Sequence, residues 1–124
     1  MTAERTDDMP VEIYYDAESR ALLAELSGDL DHCTARPMRT AIDAEIMKRL
    51  PLKLILDFEN VPFMDSSGIG LLIGRYKLMN DLGGSMIAVN PRPEVKKIME
   101  LAGVRRLCPI VEQRRGSFVG GVKL

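Results

Sequence analysis

Seven residues, Leu52 to Phe58 (LKLILDF), set the frame for the rest of this chain, because they carry apolar side chains on both faces of an extended segment. A strand of that kind is stable only when both of its faces are covered, as in a central or parallel strand. Parallel neighbours need long, usually helical, crossover connections, and the flanking sequence supplies them. Upstream, VEIYYD (11–16) sets Val11, Ile13 and Tyr15 against Glu12, Tyr14 and Asp16, the period of a half-exposed strand. AESR then makes a turn and ALLAELSG a second strand ending at Gly28, so the two are expected to form a hairpin. DLDHCTARP leads into a helix with Thr34 as N-cap and Pro37 in its first turn. Met38, Ala41, Ile42, Ile46 and Leu50 recur at helical spacing, with Arg39, Asp43, Lys48 and Arg49 outside.

Downstream of the apolar strand comes VPFMDSSGIGLLIGRYKLM (61–79). Ile69, Leu72, Ile73, Tyr76 and Met79 share one helical face, which predicts a helix opening close to Ser66 and ended by Gly83-Gly84. SMIAV (85–89) reads as a strand, and RPEVKKIMELAG as a helix burying Val95, Ile98, Met99 and Ala102 with Gly103 as its stop. A short strand within 107–111 completes the sheet. The order β-β-α-β-α-β-α-β implies an α/β fold with a mixed, largely parallel sheet and right-handed crossovers. A chain of 124 residues has the size of one domain and is too short for two cores. The last residues, 112–124, have weak periodicity and read as a frayed end or part of a final helix.

Several function classes are disfavoured. Net charge is −1 with both signs interleaved, whereas nucleic-acid binding needs a clustered basic face. The pairs Arg105-Arg106 and Arg114-Arg115 read as solvated surface. Cys33 and Cys108 match no metal spacing and read as free thiols. The N-terminal MTAERTDDMPVEI lacks an apolar signal core, and GIGLLIG is far short of the roughly 18 to 20 residues that span a bilayer. The expectation is a cytoplasmic protein with no membrane partner.

The chemistry concentrates in MDSSG, where Asp65, Ser66, Ser67 and Gly68 stand at a strand-to-helix junction. A serine nucleophile needs a base, and the only histidine is His32 in the GDLDHCT loop. The nucleophile-elbow pattern G-x-S-x-G is absent, which disfavours a small hydrolase. His32 beside Asp29 and Asp31 suggests a metal site only weakly, since no second His or Cys has ligand spacing; no metal and no cofactor are expected. These residues read better as a polar loop capping the next helix. SSGIG lacks the Gly-Lys-Ser/Thr ending of a phosphate loop, and Gly68, Gly70 and Gly74 are better explained by close packing of the helix on the sheet. Asp65 or Ser66 is a good N-cap. A serine there is also exposed enough for a kinase, and a phosphate would invert the local charge without unfolding the helix.

LSGDLDHCTA, LILDFENVPFMDSSGIGLLIGRYKLM and GGSMIAVNPRPEVKKIMELAGV, at their mutual spacing, resemble the anti-sigma factor antagonists, the small bacterial STAS domains. The likeness runs over residues 9 to 111, leaving 112–124 as a tail, and is greater to the sporulation antagonists than to the general-stress ones. DSSG is specific here because it follows a buried strand and opens a helix. The resemblance implies a single STAS-type domain over 1–124 with the helices packed mainly on one face of the mixed sheet. It implies no enzymatic activity. It implies that Ser66 is phosphorylated by an anti-sigma factor that is also a serine kinase, that the unphosphorylated form binds this kinase and releases the sporulation sigma factor, and that a PP2C-type serine phosphatase reverses the modification. It places Asp65, Ser67 and Gly68 beside the phosphosite and the loop Asp29, Asp31 and His32 on the docking face. A STAS subunit of a general-stress or stressosome-type switch is the alternative within the fold.

Overall fold

A computed structural model of the chain describes residues 10–113 and the backbone of Val122–Lys123. Strands β1 (Val11–Asp16) and β2 (Ala21–Ser27) are followed by helix α1 (His32–Arg49), strand β3 (Lys53–Asn60), helix α2 (Ser66–Asp81), strand β4 (Ser85–Val89), helix α3 (Pro93–Leu101), a 3-10 turn (Val104–Arg106) and strand β5 (Ile110–Val111). This is the order expected from the sequence. Val122–Lys123 adds a short sixth strand, β6, to the edge of β1. The other tail residues, including Arg114-Arg115, lie outside the described residues.

The sheet order is β5-β4-β3-β2-β1-β6. β1 and β2 pair antiparallel as the expected hairpin, from Val11↔Leu26 to Asp16↔Ala21. Asp16 closes the turn by accepting from the Ser19 hydroxyl at 2.7 Å and the Glu18 amide at 3.2 Å. β3 runs parallel to both of its neighbours, β2 and β4, and β5 continues the parallel set. The doubly apolar segment thus occupies an interior position. Leu54, Leu56 and Phe58 on one face of β3 are fully buried, and Ile55 on the other face is buried too.

The two faces are filled unequally. Leu22, Ala24 and Leu26 of β2, Leu54, Leu56 and Phe58 of β3, and Met86 and Ala88 of β4 form one large core with Met38, Ile42 and Ile46 of α1, Leu71, Leu72 and Met79 of α2, and Val95 and Met99 of α3. The opposite face carries only Leu23, Ile55 and Val89, with Tyr14 and Ile87 packed on them. The helices therefore stack on one face of the sheet. Among the described residues no helix is long and apolar enough to cross a membrane.

Several local expectations are corrected. The N-cap of α1 is Asp31, not Thr34; Thr34 is the third helical residue and returns the hydrogen bond in a capping box. The earlier start leaves Pro37 beyond the first turn, where it has no N–H to donate to the Cys33 carbonyl. Leu50 is the left-handed C-cap (φ 48°) and is exposed, so it takes no part in the apolar stripe. Ala102 is likewise exposed, and of α3 only Val95 and Met99 are fully covered. In α2 the buried stripe is Gly68, Leu71, Leu72, Arg75 and Met79, rotated from the expected Ile69, Ile73 and Tyr76, which are partly buried. The neighbouring α1, invisible to a single-helix pattern, packs on α2 and decides which side is covered.

The three glycines of α2 also separate. A Cβ at Gly68 would overlap Met64 and Leu30, so close packing applies there. A Cβ at Gly70 or Gly74 would meet nothing within 4 Å, and both instead border the gap between α1 and α2. Gly68→Ala should therefore destabilise by about 1–3 kcal/mol through overpacking. Gly70→Ala and Gly74→Ala should each stabilise by about 0.5–1 kcal/mol through reduced chain entropy. Urea titrations of the three variants check both signs.

Candidate functional site

Three segments meet at the carboxyl ends of β2 and β3: the Gly28–Asp31 loop, the Val61–Met64 loop and the first turn of α2. Their apposition is fixed by backbone bonds. Leu30 donates to the Phe63 carbonyl at 2.9 Å, Asp65 donates to the Leu30 carbonyl at 3.2 Å, and Gly28 donates to the Asn60 carbonyl at 3.0 Å. Leu30 and Met64 form an isolated parallel bridge, and both side chains are buried beneath the bare Cα of Gly68. The site residues expected from the sequence, dispersed over 29–68, are thereby brought to one end of the sheet.

At this junction Asp65 is the N-cap of α2. Its backbone is extended and its carboxylate accepts from the Ser67 amide at 2.8 Å. Ser66 is the first helical residue and is exposed, while Asp65 and Ser67 on either side are half-buried. The turn thus commits the aspartate to the cap, and Ser66 is the hydroxyl it presents to solvent.

In the facing loop Asp31 caps α1 through its Oδ1, which accepts from the Cys33 amide at 2.9 Å and the Thr34 amide at 3.1 Å. The Asp31 amide donates back to the Thr34 hydroxyl at 3.0 Å. That hydroxyl also donates to the Asp29 carbonyl at 2.7 Å, tying Asp29 into the turn. The amides of Thr34 and then Cys33 hold the Asp31 carboxyl below its usual 3.8. His32 and Asp29 are exposed.

No hydrogen bond joins His32 to either serine among the described residues; its ring Nε2 lies 3.6 Å from the Cys33 thiol. A Ser-His nucleophilic pair is therefore not assembled. Asp31, His32 and Cys33 each bring one ligand atom within 4.8 Å of the others, a grouping outside the spacings expected of Cys33 with Cys108 or of His32 with Asp29 and Asp31. One Asp31 oxygen is already spent on the cap, and the positive end of α1 opposes a bound cation there.

Sequence reasoning missed the contact between the two helices. Arg75 is 7% exposed, and its Nε lies 2.8 Å from Asp43 Oδ1 of α1, with the geometry of an ion pair more than of an aligned hydrogen bond. Burial holds the Asp43 carboxyl above its ordinary value, with Arg75 and then Arg39 acting against it. Burial likewise lowers Arg75, with Asp43 opposing. Arg75 falls on the buried helical stripe with Gly68, Leu71 and Leu72, a stripe that the apolar pattern of α2 alone does not mark.

A mixed sheet with helices on one face and a capped serine at the start of α2 define a STAS domain, and a STAS domain model matches residues 12–115. An anti-sigma F factor antagonist of Paenibacillus polymyxa is 36% identical over 104 residues, covering 84% of this chain and 89% of the relative. The structure of the anti-sigma factor antagonist SpoIIAA in its unphosphorylated form aligns with a TM-score of 0.72 at 28% identity, covering 84% of this chain and 89% of that one. The phosphorylated form of the Bacillus cell fate determinant SpoIIAA aligns with a TM-score of 0.66 at 27% identity, covering 84% and 92%. The chain belongs to the STAS-domain family of anti-sigma factor antagonists.

Two measurements follow from the caps. Asp65→Ala should cost about 1 kcal/mol and Asp65→Asn much less, since asparagine still accepts from the Ser67 amide; chemical denaturation reads both. For Asp31, a folded value below the unfolded one means that its charge stabilises the fold above the usual 3.8 and that this contribution is lost as pH falls through the folded value. The melting-temperature gap between wild type and Asp31→Asn should therefore close on acidification from about pH 7 to about pH 2. A gap independent of pH would contradict the assignment.

Proposed function

We propose that this protein is a phospho-regulated switch in which Ser66 is the acceptor of a phosphoryl group transferred by an anti-sigma factor with serine kinase activity. The single observation that carries the reading is the presentation of Ser66: it is exposed at the first position of α2, while Asp65 is engaged as the cap and Ser67 is half-buried. In the transfer the Ser66 oxygen bonds to the γ-phosphorus of ATP, the bond to the β-phosphate oxygen breaks, ADP leaves, and the hydroxyl proton passes to a base on the kinase. The chain supplies the acceptor and no active site of its own.

The added group carries about −1.5 to −2 charges at pH 7. A helix N-terminus stabilises negative charge, so the fold is expected to tolerate it. The docking surface formed by Asp29, Asp31, His32 and the Asp65–Gly68 turn gains that negative charge instead. The unphosphorylated protein binds the anti-sigma factor and frees a sporulation sigma factor; the phosphorylated protein does not bind. A PP2C-type serine phosphatase restores the first state. The switch operates in the cytoplasm, without nucleic acid or membrane as a direct partner. The likeness to both an unphosphorylated and a phosphorylated SpoIIAA structure supports this reading.

The test begins with a pull-down in nucleoside diphosphate to identify the kinase. Incubation of the two purified proteins with ATP should add one phosphate, and Ser66→Ala should abolish the mass shift. Phosphate found on Ser67, or turnover of nucleotide by the isolated chain, would sink the proposal. Ser66→Asp should weaken binding about tenfold or more while leaving the melting temperature nearly unchanged.

A further inference from the structure

The facing sides of α1 and α2 leave a groove of about 430 Å³ that opens beside the phosphosite, with Ser67 on its wall. Ala35 of α1 and Gly70 and Gly74 of α2 border it, and a Cβ at either glycine would meet nothing within 4 Å, so these small residues leave the space open. Its charged lining is wholly basic. Arg36 and Arg39 are exposed on α1, Arg75 lies between the helices, and His32 lies at the first turn; no carboxylate is among the lining residues. Asp43, beside it on α1, is engaged by the Arg75 guanidinium at 2.8 Å. Asp31 and Asp65 are occupied as caps. Because β2 and β3 are parallel, the positive ends of both helices add to this field at the same edge of the sheet.

We infer that this groove receives an acidic segment of the anti-sigma factor kinase, and that a phosphate on Ser66 weakens docking by adding negative charge beside the groove. The inference rests on the reading of Ser66 as the phosphate acceptor. A peptide segment is favoured over a small free anion by the layout. Arg36 and Arg39 are three residues apart, so their backbone positions rise by about 4.5 Å along one rim. Such a row reads carboxylates spaced along a chain, and small residues between the rims let a backbone approach closely. Charges arranged in this way mainly accelerate encounter and set the salt dependence of binding.

Binding of the full-length protein to the purified kinase, measured by titration calorimetry in ADP from about 50 to about 300 mM NaCl, tests the inference. Arg36→Glu/Arg39→Glu should lose about tenfold or more in affinity and show a flatter salt dependence, with a melting temperature within a few degrees of wild type. Arg36→Gln/Arg39→Gln should show a smaller loss in the same direction, which guards against a folding defect in the first variant. Lys97→Glu/Arg106→Glu, with the same change in net charge elsewhere on the molecule, should bind like wild type. Wild-type affinity and salt slope in the groove variants, or an equal loss in the Lys97/Arg106 control, would overturn the groove while phosphorylation of Ser66 left the switch intact. Saturation of the groove by inorganic phosphate alone, with the kinase still bound, would assign it to a free anion and overturn the peptide. Failure of the kinase to modify wild-type Ser66 would remove the switch and this inference together.

Discussion

The parallel bridge between Leu30 and Met64, closed over the bare Cα of Gly68, joins the loops that follow β2 and β3. Each follows a parallel strand, β2 or β3, and each leads into a helix. Leu30 and Met64 are both almost wholly buried, so the join is made by apolar burial as well as by the amide bonds on either side of it. Remove the room at Gly68 and the first turn of α2 must lift away from the sheet. The Asp65 cap, the exposed Ser66 and the facing Asp29–His32 loop would then lose their fixed relation.

The second constraint is electrostatic. Parallel strands followed by helices put the N-termini of α1 and α2 at one edge of the sheet. Unpaired amides and basic side chains accumulate there, and Asp31 and Asp65 satisfy part of that demand as caps. Between the same helices the buried Arg75 and the partly exposed Asp43 form an ion pair. Such pairs contribute little net stability, because desolvation offsets most of the attraction, but loss of either partner strands the other charge. The pair therefore fixes how the two helices face one another. On the proposed function, one phosphate on Ser66 adds its charge where the field is already concentrated.

Much of the fold was legible in the chain because it depends on period and punctuation. The doubly apolar Leu54–Phe58 segment required an interior strand, and it occupies one between parallel neighbours. Gly83 and Gly103, each with positive φ, fall at the helix ends where glycine was expected as the stop, and Gly28, also with positive φ, follows the end of β2. The misreadings share a cause. Thr34 looked like a cap because serine, threonine and aspartate are interchangeable in that role from composition alone; the backbone placed Asp31 there. Gly70 and Gly74 looked like packing glycines because the pattern does not say which neighbour, sheet or helix, each one faces.

By itself the sequence determined the order of elements, the interior place of β3 and the start of α2 at Ser66, since hydrophobic period, capping residues and chain stops act over a few residues. The exposure of Ser66 beside the engaged Asp65, the meeting of the Asp29–His32 loop with the start of α2 and the basic groove between α1 and α2 were decided only by the tertiary structure. Each depends on which faces of distant segments oppose one another, and that is set by burial of the shared core and the room left at Gly68, not by any local preference of the residues themselves.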